Sequence, residues 1–332
     1  MEQINAFQFS EGERDSIKYI LQKISVNPYT DYEGFEMAVD SLLANGAIPK
    51  SFTGFCVSQR EKNTYENPYV MLYNCPIDDE LPLLNFDEPV IDKRNRKKKY
   101  VSEGFLLLYA KLMKQEPIGY TNVNDGDIFQ DIHPKRDLVN SQSQKALKPI
   151  FFHKDLANHF VRPDWVNILG LRASTENEVY TSFARNKDVL AMLDESICDI
   201  LRSPLFYTPY DDLTTYKSAT SLGTADAHPI LGGAKETDLR FFENRTRGLT
   251  DEACTAVSKV IEALHEVKTR IVIGPGDFVG AANNDCLHNK EFGEIRDDAA
   301  LEERWLMKTV NVRSLEDHDR HFVEGQHRIV NG

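Results

Sequence analysis

Phe151-Phe152-His153-Lys154-Asp155 places an imidazole and a carboxylate two residues apart, directly behind two aromatic residues. On a β-strand, residues i and i+2 project from the same face, so His153 and Asp155 can reach one metal ion from a strand or its end. A third ligand from far along the chain would complete a facial triad of two His and one carboxylate. That set suits non-haem Fe(II) and leaves coordination positions open. Alone, His-x-Asp is a weak signal, because such tripeptides arise by chance in many proteins. Its weight depends on what the rest of the chain supplies.

The chain has 332 residues, enough for one large domain or two modest ones. Hydrophobic residues make up 41% and charged residues 27%, ordinary for a globular chain with a sizeable core. A net charge of −13 argues against a general nucleic-acid binder and against anionic membrane surfaces. No apolar run approaches the roughly 20 residues of a membrane span. The segment from Met1 to Phe9 lacks the basic region and apolar core of a secretory signal, so a cytoplasmic location is expected. Five scattered cysteines (Cys56, Cys75, Cys198, Cys254 and Cys286) without a Cys-x-x-Cys pair read as reduced thiols. Cys286 precedes His288 closely enough for a metal role to be conceivable, but a small buried hydrophobe is the preferred reading.

The local patterns predict short strands with inserted helices. Ser10 and Glu13 form a capping-box signal for a helix over about 11–23, and an apolar stripe from Phe35 to Leu43 predicts another over 32–44. Tyr69 to Tyr73 reads as a strand. An acidic, proline-rich stretch then leads to the basic run Lys93-Arg94-Asn95-Arg96-Lys97-Lys98-Lys99. No aromatic residues alternate with these cations, so a solvated loop facing the acidic stretch is preferred over a phosphate-binding patch. A helix is expected over 103–115. Strands over 118–122 and 128–132 flank the turn signal Asn124-Asp125-Gly126-Asp127 and predict a hairpin. The polar loop over 136–148 would border a pocket. Further strands are expected over 165–171, 178–183, 230–231, 239–242, 270–273, 278–281 and 304–312, with helices over 188–202 and 250–267. The stretch from Ser203 to Gly223 has no clear period and reads as a flap. No repeat or linker divides the chain. The expectation is one domain over 1–332: a helical N-terminal part (1–50), a core over about 117–312 and a flap over about 203–223. Its class is mainly β with flanking helices around a distorted double-sheet jelly roll.

Among nine histidines, His288 is the best third ligand. It lies beyond a strand–turn–strand, where a closed sheet would bring it back beside His153. His159 could also reach the metal, but so soon after Asp155 the fold would have to double back. An iron oxygenase of this kind needs a dicarboxylate co-substrate held at its far end by a fixed cation, and the planar fork of Arg is suited to that task. Arg304 opens a strongly apolar strand, and Lys308 falls on the same strand face. Two cations on one face suit two carboxylates, one on the co-substrate and one on the substrate.

The order of strand, His-x-Asp, Glu-x-x-Thr, long helix, late His and Arg-Trp-Leu-x-Lys resembles the clavaminate synthase-like Fe(II)/2-oxoglutarate dioxygenases. Phe152-His153-Lys154-Asp155 matches their Phe-His-x-Glu/Asp motif, and Arg304-Trp305-Leu306-Met307-Lys308 matches an Arg-Trp-Leu-x-Arg pattern. The run from Phe152 to His159 looks closest to the branch that hydroxylates free L-lysine. The resemblance covers about 119–312. It implies an elaborated double-stranded β-helix with Fe(II) on His153, Asp155 and His288, and 2-oxoglutarate on Arg304 and Thr181. It also implies a substrate carboxylate on Lys308, where Lys replaces the family's second Arg and cannot reproduce its fork. Glu243 and Asn124 are candidate contacts for the rest of the substrate. The family's arginine hydroxylases carry Asp residues where this chain has Phe241-Phe242-Glu243-Asn244, which argues against a guanidinium pocket of that design.

The implied activity is hydroxylation of free L-lysine at C4 with consumption of O2 and 2-oxoglutarate and release of succinate and CO2. Alternatives are C3 of lysine, another free amino acid such as arginine or ornithine, or a non-enzymatic jelly-roll binding protein. A free amino acid is the expected partner, with no nucleic acid or membrane, and a homo-oligomer is allowed.

Overall fold

The computed structural model describes residues 5–209 and 226–331. Of the expected flap over 203–223, residues 210–223 lie outside the described residues.

Two sheets form the centre. The larger contains β1 (Asn5–Gln8), β2 (Tyr69–Tyr73), β3 (Glu116–Tyr120), β4 (Gln130–Ile132) and, later in the chain, β6 (Trp165–Arg172), β11 (Phe278–Ala282), β13 (Trp305–Val312) and β14 (Ile329–Val330). Its order is β1-β2-β11-β6-β13-β3-β14, with β4 also paired to β13. The smaller, in the order β10-β7-β12-β5, contains β5 (Ile150–His153), β7 (Asn177–Arg185), β10 (Thr269–Val272) and β12 (Cys286–Ile295). A two-stranded ribbon, β8 (Phe206–Tyr207) with β9 (Arg247–Gly248), lies apart from both. The architecture is a jelly-roll core of mainly antiparallel strands with helices on its outer faces.

Alternation along the strands makes three layers from one sequence pattern. Ile168, Val279, Leu306 and Val310 of the large sheet meet Phe183, Ile271 and Cys286 of the small one in the inter-sheet core. Their strand neighbours Leu169, Phe278, Trp305 and Met307 face the opposite way, into a core shared with the N-terminal helices. Those helices are α1 (Glu11–Leu21), α2 (Tyr32–Ala44), α3 (Lys50–Arg60) and, further on, α5 (Val101–Met113). On the far side, Phe152, Ala184 and Leu287 of the small sheet pack against the helix Asp251–Val267, which Thr250 caps. The Ser10–Glu13 capping box is present at α1.

Several expectations are corrected. The helix α3 has no strong sequence signal, because Phe52 and Cys56 are its only buried positions and Pro49 at its N-cap makes no side-chain hydrogen bond. The helix expected over 188–202 is two short ones, Asn186–Ala191 and Glu195–Leu201. The segments 230–231 and 239–242 form only isolated bridges, Leu231 with Leu239 and His153 with Phe242. The hairpin over 118–132 does not form. β3 pairs with Val310–Val312 of β13 and β4 with Leu306–Lys308, both antiparallel, so the two strands run collinearly. The turn residues Asn124, Asp125 and Gly126 have φ of 48°, 55° and 87° and belong to an excursion of the chain without reversal. Arg94 secures it, donating to the Asn124 carbonyl and to Asp127.

The basic run is the other correction. Lys93 lies in α4 (Pro89–Arg96), wholly buried, with its Nζ 2.7 Å from Asp131 and 3.1 Å from Asp127. Lys97, also buried, pairs with Asp78 at 2.8 Å and Glu103 at 2.6 Å. Buried carboxylates need partners, and three of the run's cations, Lys93, Arg94 and Lys97, supply them, while Arg96, Lys98 and Lys99 remain exposed.

Candidate active site

A cavity of about 700 Å³ opens between the sheets. His153, Asp155, His288, Thr181, Arg304, Lys308 and Asn124 all line it. β12 brings the set together, since it pairs with β5 on one side and β7 on the other. His288 stands directly opposite His153 in that register, and Lys290, two residues on, stands opposite both Ile150 and Thr181. One strand thus carries a rung with two imidazoles and a second rung bordering Thr181.

Donor atoms of His153, Asp155 and His288 lie within 4.8 Å of one another. Asp155 Oδ1 is 3.3 Å from His153 Nε2 and 3.7 Å from His288 Nε2. The Nδ1–H of His153 donates to the Phe151 carbonyl at 2.8 Å, which leaves Nε2 as the ligating atom. The ring stacks on Phe242 with centroids 5.0 Å apart, and the Arg245 guanidinium also lies over that phenyl. Burial, with the charge of His153, pushes His288 down to about 3, so it is a neutral imidazole at ordinary pH. Burial by itself would raise the Asp155 carboxyl, but the Lys308 ammonium and the His153 hydrogen bond overcome it and hold the group well below the usual range. A neutral His288, an ionised Asp155 carboxylate and the Nε2 of His153, all lining one cavity, fit a divalent metal of the Fe(II) type.

The ligand segment is clamped from behind. Asn283 accepts from the Asp155 N–H at 3.0 Å and donates to the carbonyls of Asp155 and Pro163. Leu156, next in the chain, has φ of 53°, so the backbone turns sharply after the carboxylate. Lys154, just past the end of β5, turns its ammonium away from the cluster. Its Nζ is fully buried, 2.6 Å from Asp238 and hydrogen-bonded to Asn284. Lys154→Met leaves Asp238 as an unpaired buried charge and should destabilise the fold by about 3–5 kcal/mol. Urea denaturation measures this; a loss under about 1 kcal/mol would show that water or rearrangement satisfies Asp238.

Arg304, immediately before β13, and Lys308 within it both line the cavity, as does Leu306 between them. Arg304 is 8% exposed, and among the described residues its guanidinium makes no hydrogen bond or ion pair. Burial lowers it to about 10, still cationic. Lys290 is near enough to feel that charge; burial and Arg304 push it down to about 7, and its Nζ donates to the Ala146 carbonyl. Lys308 Nζ is 2.9 Å from Asp155 Oδ2.

Glu243 is the expectation the structure overturns. Its carboxylate accepts from the Phe152 N–H at 3.0 Å and meets His265 at 2.7 Å, on the helix side of β5. It is not among the residues lining the cavity. The physical reason is the bridge between His153 and Phe242: adjacent strand residues face opposite ways, so Phe242 takes the cavity side and Glu243 the other. Sequence reading missed Gln130, Asn122 and Lys290. Among the described residues, buried amide atoms of Asn122, Asn124 and Gln130 lack partners, and all three residues line the cavity. Gln130 stands opposite Lys308 in the sheet, a pairing that no local pattern announces.

No family model matches the chain. It is 24% identical over 298 residues to clavaminate synthase 2 of Streptomyces clavuligerus, covering 88% of each chain. It is 26% identical over 203 residues to L-asparagine oxygenase of Streptomyces coelicolor, covering 60% of this chain and 59% of that one. The structure of an asparagine oxygenase in complex with Fe(II), 2S,3S-3-hydroxyasparagine and succinate superposes with a TM-score of 0.81 at 20% identity, over 98% of this chain and 99% of that one. The chain has the fold of that oxygenase. The non-haem iron oxygenase OrfP in complex with Fe and α-ketoglutaric acid gives a TM-score of 0.79 at 17% identity, over 99% and 100% of the two chains. The oxygenase fold thus spans the whole described chain, N-terminal helices included, and the expected jelly-roll class stands. No helix among the described residues is long and apolar enough to cross a membrane.

Proposed function

We propose that this protein is an Fe(II)- and 2-oxoglutarate-dependent hydroxylase of a free amino acid, acting as a single catalytic domain. L-Lysine is the first candidate substrate and C4 the first candidate position. One observation carries the reading: the buried Arg304 guanidinium has no counter-ion among the described residues and opens onto the cavity that His153, Asp155 and His288 line. A buried cation without a partner is costly, and an anionic ligand offsets that cost. A dicarboxylate that meets a metal at one end and Arg304 at the other is the ligand class that uses both features. The relatives lend support, since one solved neighbour holds Fe(II) and succinate and another Fe and α-ketoglutaric acid.

His153, Asp155 and His288 would hold the iron, which when bound supplies the oxidation of co-substrate and substrate by O2. Arg304 and Thr181 receive the far carboxylate of 2-oxoglutarate, with Ile150, Ile168 and Leu306 forming its apolar walls. Lys308 meets the α-carboxylate of the amino acid. Asn124 and Gln130 offer amide atoms, unpaired among the described residues, to its remaining polar groups. Cavity side chains keep water from the reacting carbon. The free state of all five cysteines supports a reducing, cytoplasmic setting.

The amide-rich wall of Asn122, Asn124 and Gln130 favours a second reading, the same chemistry on an amino acid with an amide side chain. The similarity to an asparagine oxygenase supports it. A non-enzymatic binding role is disfavoured by the complete donor set. The deciding experiment scores succinate release with Fe(II), 2-oxoglutarate and each of lysine, ornithine, arginine and asparagine, followed by NMR of the product. Lysine is expected to give the fastest release and a hydroxyl at C4. If no amino acid raises succinate above the substrate-free rate, the proposal fails.

A further inference from the structure

We propose that Lys308 couples the two halves of this site: its ammonium competes with the metal for the charge of Asp155 until a substrate carboxylate draws that ammonium away. The inference rests on the reading above, in which His153, Asp155 and His288 hold a divalent metal.

The Asp155 carboxylate divides its oxygens. Oδ1 faces the imidazoles, 3.3 Å from His153 Nε2 and 3.7 Å from His288 Nε2, while Oδ2 accepts from Lys308 Nζ at 2.9 Å. Asp155 is 8% exposed and Lys308 9%, so bulk water screens the pair little. The residues opposite Lys308 in the sheet are Gln130 on β4 and Ile168 on β6, neither charged. Among the described residues Asp155 is the only carboxylate within ion-pair distance of Lys308. The Nζ has three N–H donors. One serves Asp155, and the side chain also lines the cavity, where an α-carboxylate would arrive.

A dication at Oδ1 and an ammonium at Oδ2 draw on the same negative charge and repel each other, so each weakens the other's hold. A carboxylate bound to Lys308 offsets its charge and leaves Asp155 to the metal. Substrate therefore tightens metal binding, and by thermodynamic reciprocity metal tightens substrate binding by the same factor. The coupling makes the assembled metal–substrate site more populated than independent binding would give.

The test uses Mn(II), which binds without turnover, and the full chain without 2-oxoglutarate, read by calorimetry. L-Lysine and L-asparagine are each tried as the amino acid. One of them is expected to lower the Mn(II) Kd by about tenfold, within the usual range of coupling factors. Without amino acid, Lys308→Met is expected to bind Mn(II) more tightly than the wild-type chain by a similar factor, and Lys308→Arg to stay near wild type because the charge is kept. Lys308→Gln replaces the Met variant if that one does not fold. Unchanged or weaker Mn(II) binding by the neutral variant overturns the proposal and leaves Lys308 a support for Asp155 or a substrate anchor. So does an unchanged wild-type Kd with both amino acids. Failure of the underlying reading looks different: Mn(II) binding would be absent in the wild type, or equal in His153→Ala.

Discussion

Asp155→Ala should lose metal binding and lower amino-acid-dependent succinate release by about 10³-fold or more, the scale of several kcal/mol that a catalytic metal supplies. The substitution removes the only anionic ligand of the proposed set, leaving two imidazoles and an ammonium beside them. Two His alone do not hold a divalent ion against Lys308, which becomes an uncompensated positive charge 2.9 Å from where the carboxylate stood. The backbone should survive, because Asn283 grips it through the N–H and carbonyl of residue 155 and not through its side chain. Near-wild-type circular dichroism with no Mn(II) uptake in calorimetry is therefore the expected signature. Asp155→Asn, which keeps the shape and removes the charge, should fall almost as far. Turnover within tenfold of wild type in the alanine variant would rule out the ligand assignment.

Arg304→Met should separate activity from stability. A buried charge-assisted contact truncated on one side costs about 2–5 kcal/mol of binding, so the apparent KM for 2-oxoglutarate should rise by about 30-fold or more. Arg304→Lys restores the charge without the fork and should recover only part of this. In the absence of 2-oxoglutarate the same Met variant should unfold at a higher temperature than the wild type. It replaces an 8%-exposed cation that has no partner among the described residues with an apolar chain of similar length. Saturating 2-oxoglutarate should raise the wild-type Tm and leave that of the variant unchanged, by linkage. A variant with unchanged KM, or one whose Tm drops by several degrees, would mean that Arg304 has a structural partner instead of a ligand.

Local order was legible where one physical signal dominated. The Ser10–Glu13 box, Thr250 as N-cap and the strongly apolar run ending at Val312 each specify an element from adjacent residues alone. Failures came where a distant partner decided. Lys93 and Lys97 look like solvent-facing charges until Asp127, Asp131, Asp78 and Glu103 are folded around them. Asn124-Asp125-Gly126 has the composition of a hairpin turn, yet β13 is long enough to take both flanking strands end to end, so the chain does not reverse. Glu243 was the attractive acid, but strand parity set by one bridge at Phe242 turns it to the helix side.

The motif from Phe151 to Asp155 shows the same division. By itself the sequence pointed to His153 and Asp155 as one pair of ligands from a strand or its end, and the structure has His153 closing β5 with Asp155 in the turn that follows. It also pointed Arg304 and Lys308 to one site, and both line the cavity, although Arg304 lies just before β13. Only the tertiary structure decided that His288 stands across from His153, that Lys290 and Thr181 form the next rung, and that Lys308 reaches Asp155. The register of strands more than a hundred residues apart is set by which faces they bury together, and that choice is made by the closed pair of sheets as a whole, beyond the reach of any local pattern.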